Sequence, residues 1–200
     1  MVDEPSALAP EVAGGAGAGQ DLSGVLAEIR RQIALRREEL ASCGFVVEEP
    51  AYIGLSLPPI DFGVALHFCR DGNGLPYMGA GWSGPEVSFT WSIGECAELL
   101  FPWHRQQGDL LLSLHMAPFL GGGLEAQPIE VRVSGHLVAA LDVTEPREYQ
   151  VMLFDHHLAG RNVIAVQLHI GEPRSPKEAG IGSDERRLGV ALSSVVIEKA

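Results

Sequence analysis

The sequence predicts a mainly β fold: a jelly-roll-like antiparallel β-sandwich preceded by one N-terminal amphipathic helix. Two observations lead there. Beyond about residue 50 the apolar residues fall at every second position in short runs, the pattern of strands with one buried face. Gly, Pro, Asp and Asn punctuate those runs at short intervals, as in sandwiches and barrels.

Residues 1–20 are Ala, Gly, Pro and acid, ending in Gly14-Gly15-Ala16-Gly17-Ala18-Gly19. The glycines imitate a phosphate loop, but no strand precedes them and no Lys-Ser/Thr follows, so a flexible tail is expected. In 21–44 the apolar positions Leu22, Leu26, Ile29, Ile33 and Leu40 fall at helical steps, with Asp21 or Ser23 to cap and Gly44 to terminate. Such a stripe must cover something: the β domain, a second copy of the chain or a partner.

The β domain is expected over 50–200. Its strands are Tyr52–Leu57, Val64–Phe68, Val87–Ile93, Ala97–Phe101, Asp109–Met116, Ile129–Ser134, Leu137–Val143, Tyr149–Phe154, Asn162–Ile170 and Leu188–Glu198. Val87, Phe89, Trp91 and Ile93 read as the inward phase of their strand. So do Leu110, Leu112, Leu114 and Met116, then Ile129, Val131 and Val133, then Ile164, Val166, Leu168 and Ile170. Ser134-Gly135-His136 reads as a tight hairpin connection. Gly171–Arg187, with Pro173, Pro176, Gly180 and Gly182, is a loop too long for a simple turn, the kind of segment in which function often resides.

Composition narrows the function classes. With 200 residues and 46% hydrophobic, the chain suffices for one domain with a core and an appendage. A formal net charge of −12 opposes unassisted binding to nucleic acid or anionic membrane. No apolar stretch approaches the roughly 18 residues of a membrane span. Cys43, Cys69 and Cys96 are odd in number and unpatterned, which suggests buried thiols in a reducing compartment rather than a disulfide scaffold or zinc site. With no basic and apolar leader after Met1, the expected setting is the cytoplasm, as a whole protein or a soluble piece of a larger one.

No residue set spells out a reaction. His156-His157 beside Asp155 looks like a hairpin tip, and adjacent histidines make a poor metal site. His115 and His169 lie out of phase with their strands' core positions, and are expected to share a polar face with Ser113, Gln167, Glu130 and Arg132. Such a face is either merely solvated or hydrogen-bonds a hydroxyl-rich ligand. Gly81-Trp82-Ser83-Gly84 lacks the pattern and setting of a nucleophile elbow. Asp61, Glu86, Asp184 and Glu185 include candidates for a glycosidase pair, at separations the sequence does not give. Trp91 reads as core. Trp82 either plugs the end of the sandwich or, with Glu86 nearby in the chain, offers an indole face and a carboxylate to a sugar. Asp184, Arg186 and Arg187 are expected to anchor the long loop through an Arg–carboxylate bond. No cofactor or metal is expected.

Gly81-Trp82-Ser83-Gly84-Pro85-Glu86 followed by Thr90-Trp91-Ser92 resembles the opening of a bacterial β domain of uncharacterised activity, one attached to, or encoded near, glycosyltransferases and polysaccharide-assembly proteins. Further similarity follows in order: Ala117-Pro118-Phe119-Leu120, then Ile129–Gly135, then Ser175-Pro176, then Asp184–Leu192. The resemblance spans roughly residues 75–198. Ser134 stands where that family commonly has Asn. The resemblance implies a sandwich accessory to surface-glycan synthesis, with no established activity. The leading expectation is therefore a non-catalytic accessory or carbohydrate-recognition module, with Trp82, Glu86, His115, Arg132 and His169 as candidate ligand contacts. Its partner would be a glycan or a glycosyltransferase-system protein, and self-association through helix 21–44 is possible. The rival readings are a structural adaptor acting through that helix, and a carbohydrate-active hydrolase or cupin-like metal enzyme.

Overall fold

Alternation becomes nine strands among the residues that the computed structural model describes, 56–103, 108–158 and 162–200, all within one folded unit. They are β1 (Leu66–His67), β2 (Thr90–Ile93), β3 (Cys96–Pro102), β4 (Leu110–Pro118), β5 (Gln127–Val133), β6 (His136–Val143), β7 (Arg147–Leu153), β8 (Val163–Ile170) and β9 (Leu188–Lys199). The expected tail 1–20 and helix 21–44 lie outside the described residues, as does most of the expected strand Tyr52–Leu57.

All pairings are antiparallel, and the strands sort into two sheets. The first runs β1-β9-β4-β7, with β2 also paired to β9; the second runs β3-β8-β5-β6. The two together form the mainly β, jelly-roll-like sandwich.

The core is the sum of the inward phases. Leu110, Leu112, Leu114 and Met116 of β4 are buried with Val190, Leu192, Val195 and Ile197 of β9. Facing them are Leu99 and Phe101 of β3, Ile129, Val131 and Val133 of β5, and Ile164, Val166, Leu168 and Ile170 of β8. Phe68, Tyr77 and Trp103 add large apolar volume to the same cluster, and the Tyr77 ring lies 5.7 Å from that of Phe101.

Strand β2 reverses the expected phase. Thr90 and Ser92 are buried, whereas Trp91 is half-buried and Val87, outside the strand, is 72% exposed. The hydroxyls tolerate burial because each has a main-chain partner. Thr90 Oγ1 donates to the Phe68 carbonyl at 2.8 Å, and Ser92 Oγ accepts the Val190 N–H at 2.9 Å. The second bond spans the register shift between Trp91 and Ile93. Gly189 makes the approach possible, since a Cβ there would meet Ile170 Cγ2 at 2.5 Å and Ser92 Oγ at 2.8 Å. Trp91 instead packs edge-on against Phe89 and Phe119.

Three smaller expectations also change. Asp155–Leu158 is a helical turn after β7, not a hairpin tip. Cys69 is half-buried and Cys96 is exposed at the start of β3, rather than both lying in the core. The segment expected to be a strand over Val64–Phe68 pairs with β9 only at Leu66 and His67, and Asn73 Oδ1 takes the His67 N–H on the opposite edge.

The β5–β6 hairpin closes as Val133↔His136 over the two residues Ser134 and Gly135. Their φ values of 54° and 81° are those of a type I′ turn, which suits the twist of a hairpin. Ser134 accepts a left-handed conformation, and its hydroxyl is buried without a hydrogen-bond partner. Ser134→Gly and Ser134→Ala both remove that hydroxyl, but only glycine relieves the left-handed strain. The glycine variant should be the more stable by about 1 kcal/mol, as read by urea denaturation; equal midpoints would show that the turn stores no strain.

Candidate functional site

Outward side chains of the second sheet form cross-strand rows, because strand register places them side by side. One row runs Cys96, His169, Glu130 and Ala140 across β3, β8, β5 and β6. The next runs Glu98, Gln167 and Arg132. Their inward neighbours Ala97, Leu99, Leu168, Ile170, Ile129 and Val131 are buried, which turns these polar groups to the outside.

The rows are internally bonded. Arg132 Nη2 and Nε donate to Glu130 Oε2 at 2.8 and 3.2 Å, and Gln167 Nε2 donates to Glu98 Oε1 at 3.3 Å. The surface therefore presents alternating donors and acceptors already held in position.

At one end of this face lies an open cleft of about 640 Å³, whose polar lining is Glu95, Glu130, Asp142 and His169. A second cleft of about 380 Å³ is lined by Gly122, Glu172, Arg174, Glu178 and Arg187 among others. Gly171 borders both, and Arg187 reaches across to Glu95 at 3.8 Å.

The long loop 171–187 builds the second cleft from contacts within itself. Ser175 and Glu178 form a reciprocal capping pair: Glu178 Oε2 accepts the Ser175 N–H at 2.9 Å, and Ser175 Oγ accepts the Glu178 N–H at 3.1 Å. The Ser175 main-chain N–H foremost, and then the Ser175 hydroxyl, hold the Glu178 carboxyl below its ordinary value. Arg174 donates to the Gly122 carbonyl at 2.8 Å and to Glu172 at 2.7 Å.

The candidate residues from the sequence separate. Arg132 and His169 share the outer face of the second sheet with Glu130 and Gln167. His115 and Ser113 belong to β4, so they stand on the first sheet, and the expected common face with His169 does not form. His115 and His169 thus stand on different sheets, with the core between them. Trp82 is half-buried against the core, and its indole N–H donates to the Glu98 carbonyl at 2.7 Å. No hydrogen bond joins it to Glu86, whose charge acts on Arg186. Asp184 pairs with Arg186 at 2.6 Å, and its carboxyl is held low by that guanidinium. Arg187 donates to the Pro173 carbonyl at 3.2 Å.

Two nucleophile–imidazole neighbours occur. His115 Nδ1 lies 2.8 Å from Ser193 Oγ, and the same hydroxyl lies 3.1 Å from the His115 carbonyl. The other neighbour, Cys96 beside His169, shares the cross-strand row with Glu130. Among the described residues no three His, Cys, Asp or Glu side chains converge as a metal site.

Sequence reasoning missed Glu95, Asp142 and Arg174. Only strand register and loop closure bring Asp142 of β6 into the same cleft as His169 of β8, and neither is visible in spacing along the chain. It also missed a ring cluster. His136 stacks on His157 at 6.5 Å, and His156 and Phe154 pack alongside. Burial, then the neighbouring imidazoles, lowers the His157 pKa.

No protein-family model and no curated protein matches the chain. Among solved structures it is similar to the CBM36-1 domain of a multidomain xylanase from the hindgut metagenome of Trinervitermes trinervoides, at 12% identity and a TM-score of 0.40, covering 68% of this chain and 97% of that one. It is also similar to the C-terminal CBM6 of LamC from Zobellia galactanivorans, at 10% identity and a TM-score of 0.39, covering 68% and 98%. A carbohydrate-binding module CBM36 in complex with calcium and xylotriose aligns at 10% identity and a TM-score of 0.35, covering 61% and 88%. Likenesses at this level carry no argument about what this chain binds.

The capping pair makes a pH prediction. Glu178 has a folded pKa below its unfolded one, so its contribution is complete above the ordinary value of 4.5 and is lost as pH falls through the folded value. The melting temperature should therefore drop on acidification below 4.5, and Glu178→Gln should flatten that limb. Ser175→Ala should lower the melting temperature at neutral pH, since it removes the acceptor of the Glu178 N–H. Parallel acid limbs in wild type and Glu178→Gln would discount the pair.

Proposed function

We propose that the domain is a non-catalytic carbohydrate-recognition module whose ligand lies on the outer face of the second sheet. The observation that carries this reading is the pair of polar rows Glu98–Gln167–Arg132 and His169–Glu130, which adjoin the 640 Å³ cleft. Carboxylates accept from sugar hydroxyls, guanidinium donates to them, and the imidazole and amide do both. Because Arg132 is held by Glu130 and Gln167 by Glu98, little ordering cost is added at those groups on binding. The face is open, so affinity should be weak.

We further propose that the module serves bacterial polysaccharide or glycosyltransferase systems. The support for this context is the ordered set of motifs over residues 75–198. Trp82 contributes to positioning, since its N–H holds the main chain of Glu98.

Titration of the full chain with bacterial exopolysaccharide fragments, followed by amide NMR, tests the reading. Shifts should centre on Glu130, Arg132, Gln167 and His169. Arg132→Ala and His169→Ala should each weaken binding roughly two- to tenfold, the worth of one or two hydrogen bonds, with little change in melting temperature. Shifts confined to β4 and Ser193 would move the site to the other sheet, and no shifts at about millimolar ligand would remove the carbohydrate role.

A further inference from the structure

Open strand edges invite pairing with another chain, and proteins normally cover or charge them. Here most are covered by the chain itself. In β1, both main-chain groups of His67 are taken, by Asn73 Oδ1 and the Gly74 N–H. Along β2, Ser83 N–H bonds the Trp91 carbonyl and Ile93 N–H bonds the Gly81 carbonyl. On β3, Glu98 exchanges bonds with Gly79 and Ala80. Among the described residues nothing covers the edge strand β7, which carries exposed Arg147, Glu148 and Gln150. Nothing among the described residues covers strand β6 either, and its sequence HLVAALDV contains no Lys, Arg or Pro, with Asp142 its one carboxylate.

The direction of its main-chain groups follows from β5. Gly171 N–H bonds the Pro128 carbonyl at 2.9 Å, so Pro128 turns toward β8 and away from β6. Glu130, two residues on, does the same. Their β6 partners are Asp142 and Ala140. In an antiparallel ladder, residues opposite such positions point their own N–H and C=O outward. Ala140 and Asp142 therefore present donors and acceptors to the open side of the sheet.

Beside them lies the acidic cleft. Of its carboxylates, Glu130 is paired with Arg132 and Glu95 with Arg187, whereas Asp142 has no ion-pair partner among the described residues. A residue added opposite Ala140 or Asp142 would project its side chain to this same face.

We propose that the outer edge of β6 accepts an extended segment of a partner protein by strand addition, with a lysine or arginine of that segment seated at Asp142 and Glu130. Main-chain bonds to Ala140 and Asp142 supply affinity and the cleft supplies side-chain selection. The site's main-chain bonds use the edge of the sheet, its selected side chain enters the cleft beside Glu130, and it does not depend on carbohydrate binding.

Amide hydrogen exchange on the full chain tests it, with a synthetic hexapeptide of alternating threonine and valine carrying one central lysine. That peptide should slow exchange at Ala140 and Asp142 by about tenfold or more, while its counterpart with glutamate should not. Asp142→Asn should weaken the effect roughly two- to fivefold, as for an exposed charge pair. Ala140→Pro should abolish it, since it removes an outward N–H and no bond to β5. Asp142→Lys should abolish it too, and covers the case in which the proline variant misfolds. Equal protection by both peptides, or none by either, overturns the proposal. Protection in the absence of peptide that grows with protein concentration also overturns it, in favour of pairing between copies.

Discussion

Strand β9 is the element on which the first sheet depends. It is twelve residues long, pairs with β4 along one flank and receives both β1 and β2, end to end, along the other. One strand serves two short neighbours only if its register adjusts. Its ladders with β2 and β4 each contain a shift, at Trp91/Ile93 and at His115/Met116. A shift leaves main-chain groups without ladder partners, and leaving such groups buried is costly. Ser92 resolves the first by accepting the Val190 N–H from its side chain. At the second, Ser193 Oγ donates to the His115 carbonyl and lies 2.8 Å from the ring Nδ1 of the same residue.

This explains which parts of the fold were legible in the sequence. In β4, β5 and β8 the inner face is filled by aliphatic side chains and the period of two reads directly. In β2 the inner face is Thr90 and Ser92, chosen for hydrogen bonding, and hydropathy assigns Trp91 to the wrong side. A buried hydroxyl with a partner looks like a surface residue until its partner is seen. The Ser134-Gly135 turn was legible because tight hairpins impose strong local requirements; the helical turn at Asp155 was not.

The candidate site was half legible for a related reason. Alternation shows that His115, Arg132 and His169 face outward, but not from which sheet. Sheet membership depends on long-range pairing, and β4 and β8 join different partners. Glu130, Arg132 and His169 meet because β5 lies beside β8, while Asp142 joins them because the hairpin folds β6 along β5. The Gly/Pro context of Trp82 suggests an exposed indole. The Glu98 carbonyl instead holds its indole N–H at the border of the core.

The loop 171–187 closes on itself before it meets the sheets. Arg174 bridges to Leu188 at its base, and the Ser175–Glu178 pair braces its first half. Its far side, around Gly180, Ile181 and Gly182, is exposed and contributes nothing to the core. Extra residues there would add only loop-closure entropy, about 0.6 kcal/mol for each doubling of length. The tip is thus a natural point of insertion, where related chains can diverge in length, or a foreign peptide be displayed, while both sheets keep their register.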